Sequence, residues 1–403
     1  MRINRGQANT LIDVTTYLDH AATTPIRPEV LDVYAKALLN VGNPSSVHKF
    51  GQDARNTLEA ARESLASTVG ANRSEVIFTS GGTESDNLAI KGLYWQRRAE
   101  DAARNVILTA GTEHHGVLDP VYWLEDHQGA EAVLVPVDSR GVFDLTWLAD
   151  YLEANASRVA LISLMWVNNE TGVIADIAAI TALAAEHAIP VHSDAVAAFG
   201  HVPTDFASSG LAAMSISAHK IGGPVGSGAL LVGRSVKLTS LIHGGGQERA
   251  MRSGTMDSAG ATAFALAARI ACEEIDAESA RLSALAERLI AGVMVSAPDA
   301  VLSRGDAPAL AATVHFTFPG CSADSLIFLL DAAGVSVSAG SACTAGVNRP
   351  SHVLLAMGRS DEEATGALRI TLGYTTSSED IEAFLLAFPA AHESAKKAGL
   401  PSK

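Results

Sequence analysis

Through the first two thirds of the chain, short apolar and β-branched runs alternate with longer stretches whose apolar positions recur every three or four residues. The short runs predict strands at Glu75–Thr79, Val106–Thr109, Ala132–Pro136, Val159–Trp166, Pro190–Ser193, Met214–Ser217 and Ala229–Val232. Several are apolar on both alternating faces, as strands covered on both sides must be. Helical spacing predicts helices over Asp53–Thr68, Glu84–Arg98, Leu145–Glu153 and Ile177–His187. Such alternation predicts an α/β fold, with a mainly parallel sheet sandwiched by helices.

Beyond Asp257 the pattern changes. An alanine-rich segment from Ser258 to about Met294 reads as one helix or a broken pair. A strand at Thr313–Phe318, a helix at Ser322–Ala333, a strand at Val335–Ser338 and a terminal helix beginning near Ser378 follow. These suit a smaller α+β domain, so residues 28–275 are read as the large domain and 1–27 plus 276–403 as the small one. The first dozen residues are expected to fray.

Composition narrows the function. The 403 residues carry 29 basic and 44 acidic side chains, a net charge of −15, and 48% are hydrophobic. That length and apolar content support two or three packed domains. An acidic chain offers no electrostatic footprint for a nucleic-acid backbone, although local backbone donors can still bind a small phosphate. No apolar run reaches the roughly 18 residues of a membrane span, and residues 1–16 lack the apolar stretch of a secretory signal. Three cysteines, Cys272, Cys321 and Cys343, form no CxxC pattern. A cytoplasmic location is expected, with neither a disulfide framework nor a metal site.

Six segments can carry chemistry. Lys220 follows an apolar strand and precedes the glycine-rich stretch Ile221 to Gly228, a place for a Schiff-base lysine or for a plain surface lysine. Asp194 ends another strand, where it can pair with a protonated ring nitrogen or simply cap a helix. Thr79 to Asn87 passes from strand to helix through Gly81 and Gly82, and suits a phosphate cradle or a capped turn. Gly244 to Thr255 reads as a linker or as an ordered turn near an anion or partner subunit. His114 and His115 lack the HExxH spacing, so stacking on a flat cofactor or a surface role fits better than metal ligation. Cys343 lies among small residues in a loop that can expose its thiol, whereas Cys272 reads as an inert core residue and Cys321 as structural.

From Leu18 to Tyr374 the order and spacing of these segments resemble the cysteine desulfurases, a family within the class V, fold-type I pyridoxal-phosphate enzymes. The matching stretches are Leu18 to Pro25, Asn43 to Ser46 with His48, Gly82 to Asn87, Thr112 to His114 and Val167 to Gly172. Asp194, Ser217 to Lys220, Gly244 to Thr255, Gly340 to Thr344 and Leu368-Arg369 complete them. The resemblance implies that Lys220 carries pyridoxal 5'-phosphate, Asp194 holds its ring nitrogen and His114 stacks on the ring and shuttles a proton. Gly82, Thr83, Ser217 and His219 would bind the phosphate, with Thr255 supplied by the other subunit of a homodimer. Asn169, also beside the cofactor, and Arg369 would grip the carboxylate of L-cysteine, and Cys343, on a loop of the small domain, would take its sulfur as a persulfide, leaving L-alanine. The stretch Cys343 to Pro350 resembles the longer loop of the housekeeping iron–sulfur group, which implies an iron–sulfur scaffold or another sulfur-acceptor protein as partner.

One position departs from the family pattern. The third residue after the aspartate is normally a glutamine that donates to the cofactor's phenolic oxygen, and here it is Ala197. The resemblance also admits a selenocysteine lyase or a class V aminotransferase, although an aminotransferase has no need of Cys343. With Ala197 in place of a donor, a sulfur-transfer scaffold with weakened catalysis is the non-enzymatic alternative.

Overall fold

The computed structural model describes residues 16–340 and 350–399. Strand β1 (Thr16–Tyr17) leads into α1 (Pro28–Ala37) and α2 (Lys49–Thr68). Strand and helix then alternate: β2 (Val76–Thr79), α3 (Gly82–Glu100), β3 (Val106–Thr109), α4 (His115–Gln128), β4 (Glu131–Leu134), α5 (Leu145–Asn155). The series continues with β5 (Val159–Ser163), α6 (Ile177–Ala185), β6 (Val191–Asp194), the short α7 (Phe206–Ser209), β7 (Ala213–Ser217) and β8 (Gly228–Val232). These seven strands make one sheet in the order β2-β8-β7-β6-β5-β3-β4. Strands β7, β6, β5, β3 and β4 pair in parallel, and β8 pairs antiparallel with both β7 and β2.

The period of two that predicts the strands also divides the core. Val76 and Phe78, like Val106 and Leu108, enter the cluster packed under α2, α6 and the start of α8. Ile77 and Ile107 point the other way, into the cluster beneath α3 and α4. With helices on both faces, the expected α/β sandwich is what the chain forms.

The alanine-rich segment is one helix, α8 (Ser258–Ser296), of 39 residues. Asp257 caps it by accepting from the Gly260 N–H at 2.9 Å. Its first part, to Ala271, packs in the large-sheet core, while Leu282 to Val293 pack in a second core. That second core holds β9 (Val301–Leu302), β10 (Thr313–Thr317), α9 (Ala323–Ala332) and β11 (Val335–Ser336). After the short α10 (His352–Ala356) and α11 (Asp361–Thr365) come β12 (Ala367–Thr371) and α12 (Ser378–Gly399). Strands β12-β10-β9 form an antiparallel sheet, and β11 pairs in parallel with β1.

Most predicted elements stand within a few residues of their expected ends. Helix α2 begins four residues earlier than expected, because His48 supplies the cap by accepting from the Gly51 N–H. Helices α1 and α4, strand β12 and the short β1, α7, β9, α10 and α11 are additional to the predicted set. The N-terminal dozen residues and Cys343 lie outside the described residues.

Candidate functional site

A cavity of about 380 Å³ opens at the carboxyl ends of the parallel strands, where ligands bind in open α/β sheets. Its wall is drawn from both cores: Gly82, Thr83, His114, Asn169, Asp194, His219 and Lys220 come from the large sheet and its turns. Gly340, Arg369 and Thr371 come from the smaller part, and His20 to Ala22 close the rim.

Lys220 lies three residues beyond β7, half-buried. Its Nζ donates to the backbone oxygens of Ala21 and Ala22, the latter at 3.1 Å. Asp194, the last residue of β6, is 5% exposed, and one carboxylate oxygen accepts from the Val196 N–H at 2.8 Å. Burial raises its pKa, against the pull of His114, that N–H and Lys220. His114 caps α4 through Nδ1, which accepts from the Gly116 N–H at 2.9 Å. Burial lowers its pKa, Asp194 opposes that, and Lys220, His115 and His352 add to it. Its imidazole therefore favours the neutral form that can stack on a ring or pass a proton.

At the other end of the cavity, α3 begins without a side-chain cap. Free backbone N–H groups and the positive end of a 19-residue helix suit an anion there. The turn before it depends on glycine: a Cβ on Gly228 would lie 2.6 Å from the Gly81 Cα, and Gly81 has φ +154°. Ser217 Oγ, at the end of β7, is buried with no hydrogen-bond partner among the described residues, although Ser217 does not itself line the cavity. His219, whose pKa burial and Lys220 lower to about 4, approaches the Thr23 hydroxyl at 3.3 Å. Thr255 is exposed and is not part of this wall.

Arg369 sits in β12 opposite His315 and is 3% exposed. One Nη donates to the Asn169 backbone oxygen and the other to Asp19 Oδ1, each at 2.9 Å. The guanidinium plane is thereby fixed while N–H groups remain for a carboxylate. The side-chain oxygen of Asn169 is buried without a partner among the described residues. Glu170 accepts from the Ser351 hydroxyl at 2.5 Å, and a Cβ on Gly340 would lie 3.1 Å from its carboxylate. That carboxylate thus stands between residues 340 and 351.

Of the sequence-predicted residues, Gly82, Thr83, His114, Asn169, Asp194, His219, Lys220 and Arg369 meet in this cavity. Sequence reasoning passes over Asp86 and Glu113, which are 1% and 0% exposed. Asp86 was legible in principle, because it shares a helix face with Ala89, Ile90 and Leu93, an apolar stripe where a carboxylate is out of place. Burial raises the Cys272 thiol to about 11 and also raises that of Cys321, in keeping with inert roles. Among the described residues no group of His, Cys, Asp and Glu is arranged for a metal, and no helix is long and apolar enough to cross a membrane.

Residues 16–384 match the model of the aminotransferase class-V family. The chain is 49% identical over 385 residues to an IscS-like cysteine desulfurase of Mycobacterium tuberculosis, covering 95% of this chain and 98% of that one. Among solved structures, a NifS-like protein from Rickettsia africae superposes with a TM-score of 0.83 at 31% identity, over 94% of this chain and 99% of its own. SspA, solved in complex with cysteine, gives 0.76 at 34% identity, over 89% and 99%. With a fold of layered parallel strands, a lysine, an aspartate and an arginine gathered at their ends, and these likenesses along nearly its full length, the chain belongs to the class-V aminotransferase family, on its cysteine desulfurase branch.

Proposed function

We propose that the protein is a cysteine desulfurase that uses pyridoxal 5'-phosphate to move sulfur from L-cysteine to Cys343, releasing L-alanine. The observation that carries this reading is the convergence of Lys220, Asp194 and Arg369 on one cavity from distant parts of the chain. The residues suit the cofactor: an uncapped helix start with Gly82, Thr83, His219 and the orphaned Ser217 hydroxyl for its phosphate, and a buried carboxylate for its ring nitrogen. When bound, pyridoxal phosphate supplies an electron sink for the pair left as the substrate Cα–H bond breaks.

The protein's own groups do the rest. Lys220 Nζ would hold the cofactor and would serve as the base that takes the substrate Cα proton. His114, whose pKa burial lowers, would lie against the ring and could pass a proton without adding charge. Arg369 and Asn169 receive the substrate carboxylate, and the clamp of Asp19 and the Asn169 carbonyl keeps the guanidinium in one plane. Cys343, as thiolate, attacks the substrate sulfur; the C–S bond breaks, its electron pair stays with carbon, and a proton completes alanine.

In this reading residues 28–275 hold the cofactor, and 1–27 with 276–403 bring Arg369 and the cysteine segment. Exposed Thr255 serves the second subunit of a homodimer, and the persulfide passes in the cytoplasm to an iron–sulfur scaffold or another acceptor protein. Support comes from the IscS-like relative in Mycobacterium tuberculosis and from SspA, which was solved with cysteine. Incubation with L-cysteine, pyridoxal phosphate and a reductant is expected to yield equal alanine and sulfide. Cys343→Ala should lose both while keeping the yellow colour of bound cofactor. Undiminished sulfide from Cys343→Ala, or a colour that survives Lys220→Ala unchanged, would overturn the assignment.

A further inference from the structure

Asp86 has no role in the chemistry above, yet its carboxylate is 1% exposed and forms part of the cavity wall beside Asp194. Among the described residues its Oδ1 has no hydrogen-bond partner. His192 Nε2 is 3.7 Å from it, beyond hydrogen-bond reach. Both ring nitrogens of His192 are already engaged, by Ser163 and Ser215 hydroxyls at 2.9 Å each, and burial lowers its pKa to about 3, so it stays neutral. A Cβ on Gly116 would come within 2.9 Å of Asp86 Oδ2, so a glycine there leaves room for the carboxylate.

A buried carboxylate with an orphaned oxygen and a second carboxylate for a neighbour is costly unless a positive group faces it. Stability alone would favour an amide or an apolar side chain on this face of α3. The arrangement makes sense when a cation arrives. We propose that Asp86 is a positioning residue for the cofactor: acting through Asp194, it makes this end of the cavity demand a protonated ring nitrogen.

The groups facing Asp86 are Asp194 and His192 of β6, Ser215 of β7, and Glu113 and His114 of the turn before α4. Asp194 in turn faces Lys220. Burial first, then Asp194 and Glu113, raise the Asp86 pKa well above its ordinary 3.8, with Ser215 opposing. A second buried carboxylate nearby disfavours ionisation of Asp86, so the two titrations are linked. Arrival of a positive ring nitrogen would favour loss of a proton from the pair. Affinity for the cofactor then rises as the pH rises through the pair's titration.

This inference rests on the cavity taking pyridoxal phosphate, and one of its two measurements needs no cofactor. Asp86→Asn keeps the shape and removes the charge. An acid whose folded pKa is raised loses stability as the pH climbs above its unfolded value, so at pH 7.5 the Asp86→Asn apoprotein is expected to melt at a higher temperature than wild type. Equilibrium titration of each apoprotein with pyridoxal 5'-phosphate across pH 6–9 is expected to show about ten-fold weaker binding by the variant, with a flatter pH dependence. A variant that is less stable or fails to fold shows that Asp86 is structural and overturns the proposal. Equal affinity and equal pH dependence overturn it too. If wild type itself takes up no pyridoxal phosphate, the functional reading falls and this one with it, whatever the melting temperatures.

Discussion

Ala197 lines the cavity three residues beyond Asp194, and its methyl group has no proton to donate. A donor near a phenolic oxygen favours the anionic form, so Ala197→Gln should move the midpoint of the bound cofactor's visible-absorbance titration to lower pH. An identical titration curve would show that the methyl group costs the site nothing. Residues of this kind are legible in sequence because position marks them: Asp194 ends a strand and Lys220 follows one by three residues, and strand ends are where the cavity opens. Asp86 and Glu113 are harder to see. An acidic residue near a helix start reads as solvated and favoured by the helix dipole; the apolar stripe of α3 argues against that for Asp86, whereas only packing shows that Glu113 is buried.

Between α2 and the turn that leads to Thr255 stands a buried ion pair. Arg62 donates through both Nη atoms to Glu248, at 2.7 and 2.5 Å, and Glu248 also accepts from the Phe78 N–H at 2.8 Å. Glu248, Arg249 and Ala250 all have positive φ, a conformation that side-chain-bearing residues avoid, so this pair holds a strained turn against the edge strand β2. Glu248→Ala would strand the Arg62 charge in the interior and should cost about 3–5 kcal/mol in urea unfolding. A loss below about 1 kcal/mol would mean that the guanidinium finds water instead. The pair is invisible in sequence, its members lying 186 residues apart. Elements differ in legibility for local reasons. The strands of the large sheet declare themselves by apolar runs, whereas α4 carries Gly116 and Pro120 inside its span and β12 has Arg369 at its centre. Both elements interrupt the pattern that would predict them, and both carry or cap a residue of the cavity.

Across the whole molecule, two sets of buried groups set opposite slopes of stability with pH. Burial lowers His20 and His219 to about 4 and His192 and His315 to about 3. Histidines in the unfolded chain take up protons near 6.5 while these do not, so stability is lost as the pH falls from 6.5 toward 4 and below. Burial raises Asp86, Glu113, Glu170 and Asp194, so the folded chain keeps protons that the unfolded chain gives up, and stability is lost as the pH rises. The histidines are therefore expected to make the melting temperature of the apoprotein fall as the pH drops from 6.5 toward 4. A melting temperature that stays level over that range would show that these imidazoles take up protons in the folded chain.

Helix α8 runs unbroken from the core beneath Lys220 to the core that carries Arg369. A rigid screw of this sort has a phase as well as a length. One residue inserted near Glu273 would rotate everything beyond it by about 100° and advance it by about 1.5 Å. The half-site built on β12 would then face away from the half-site built on β6, with every individual side chain intact. The count of residues between the two cores is thus itself an active-site parameter, stored in a stretch of helix that never lines the cavity.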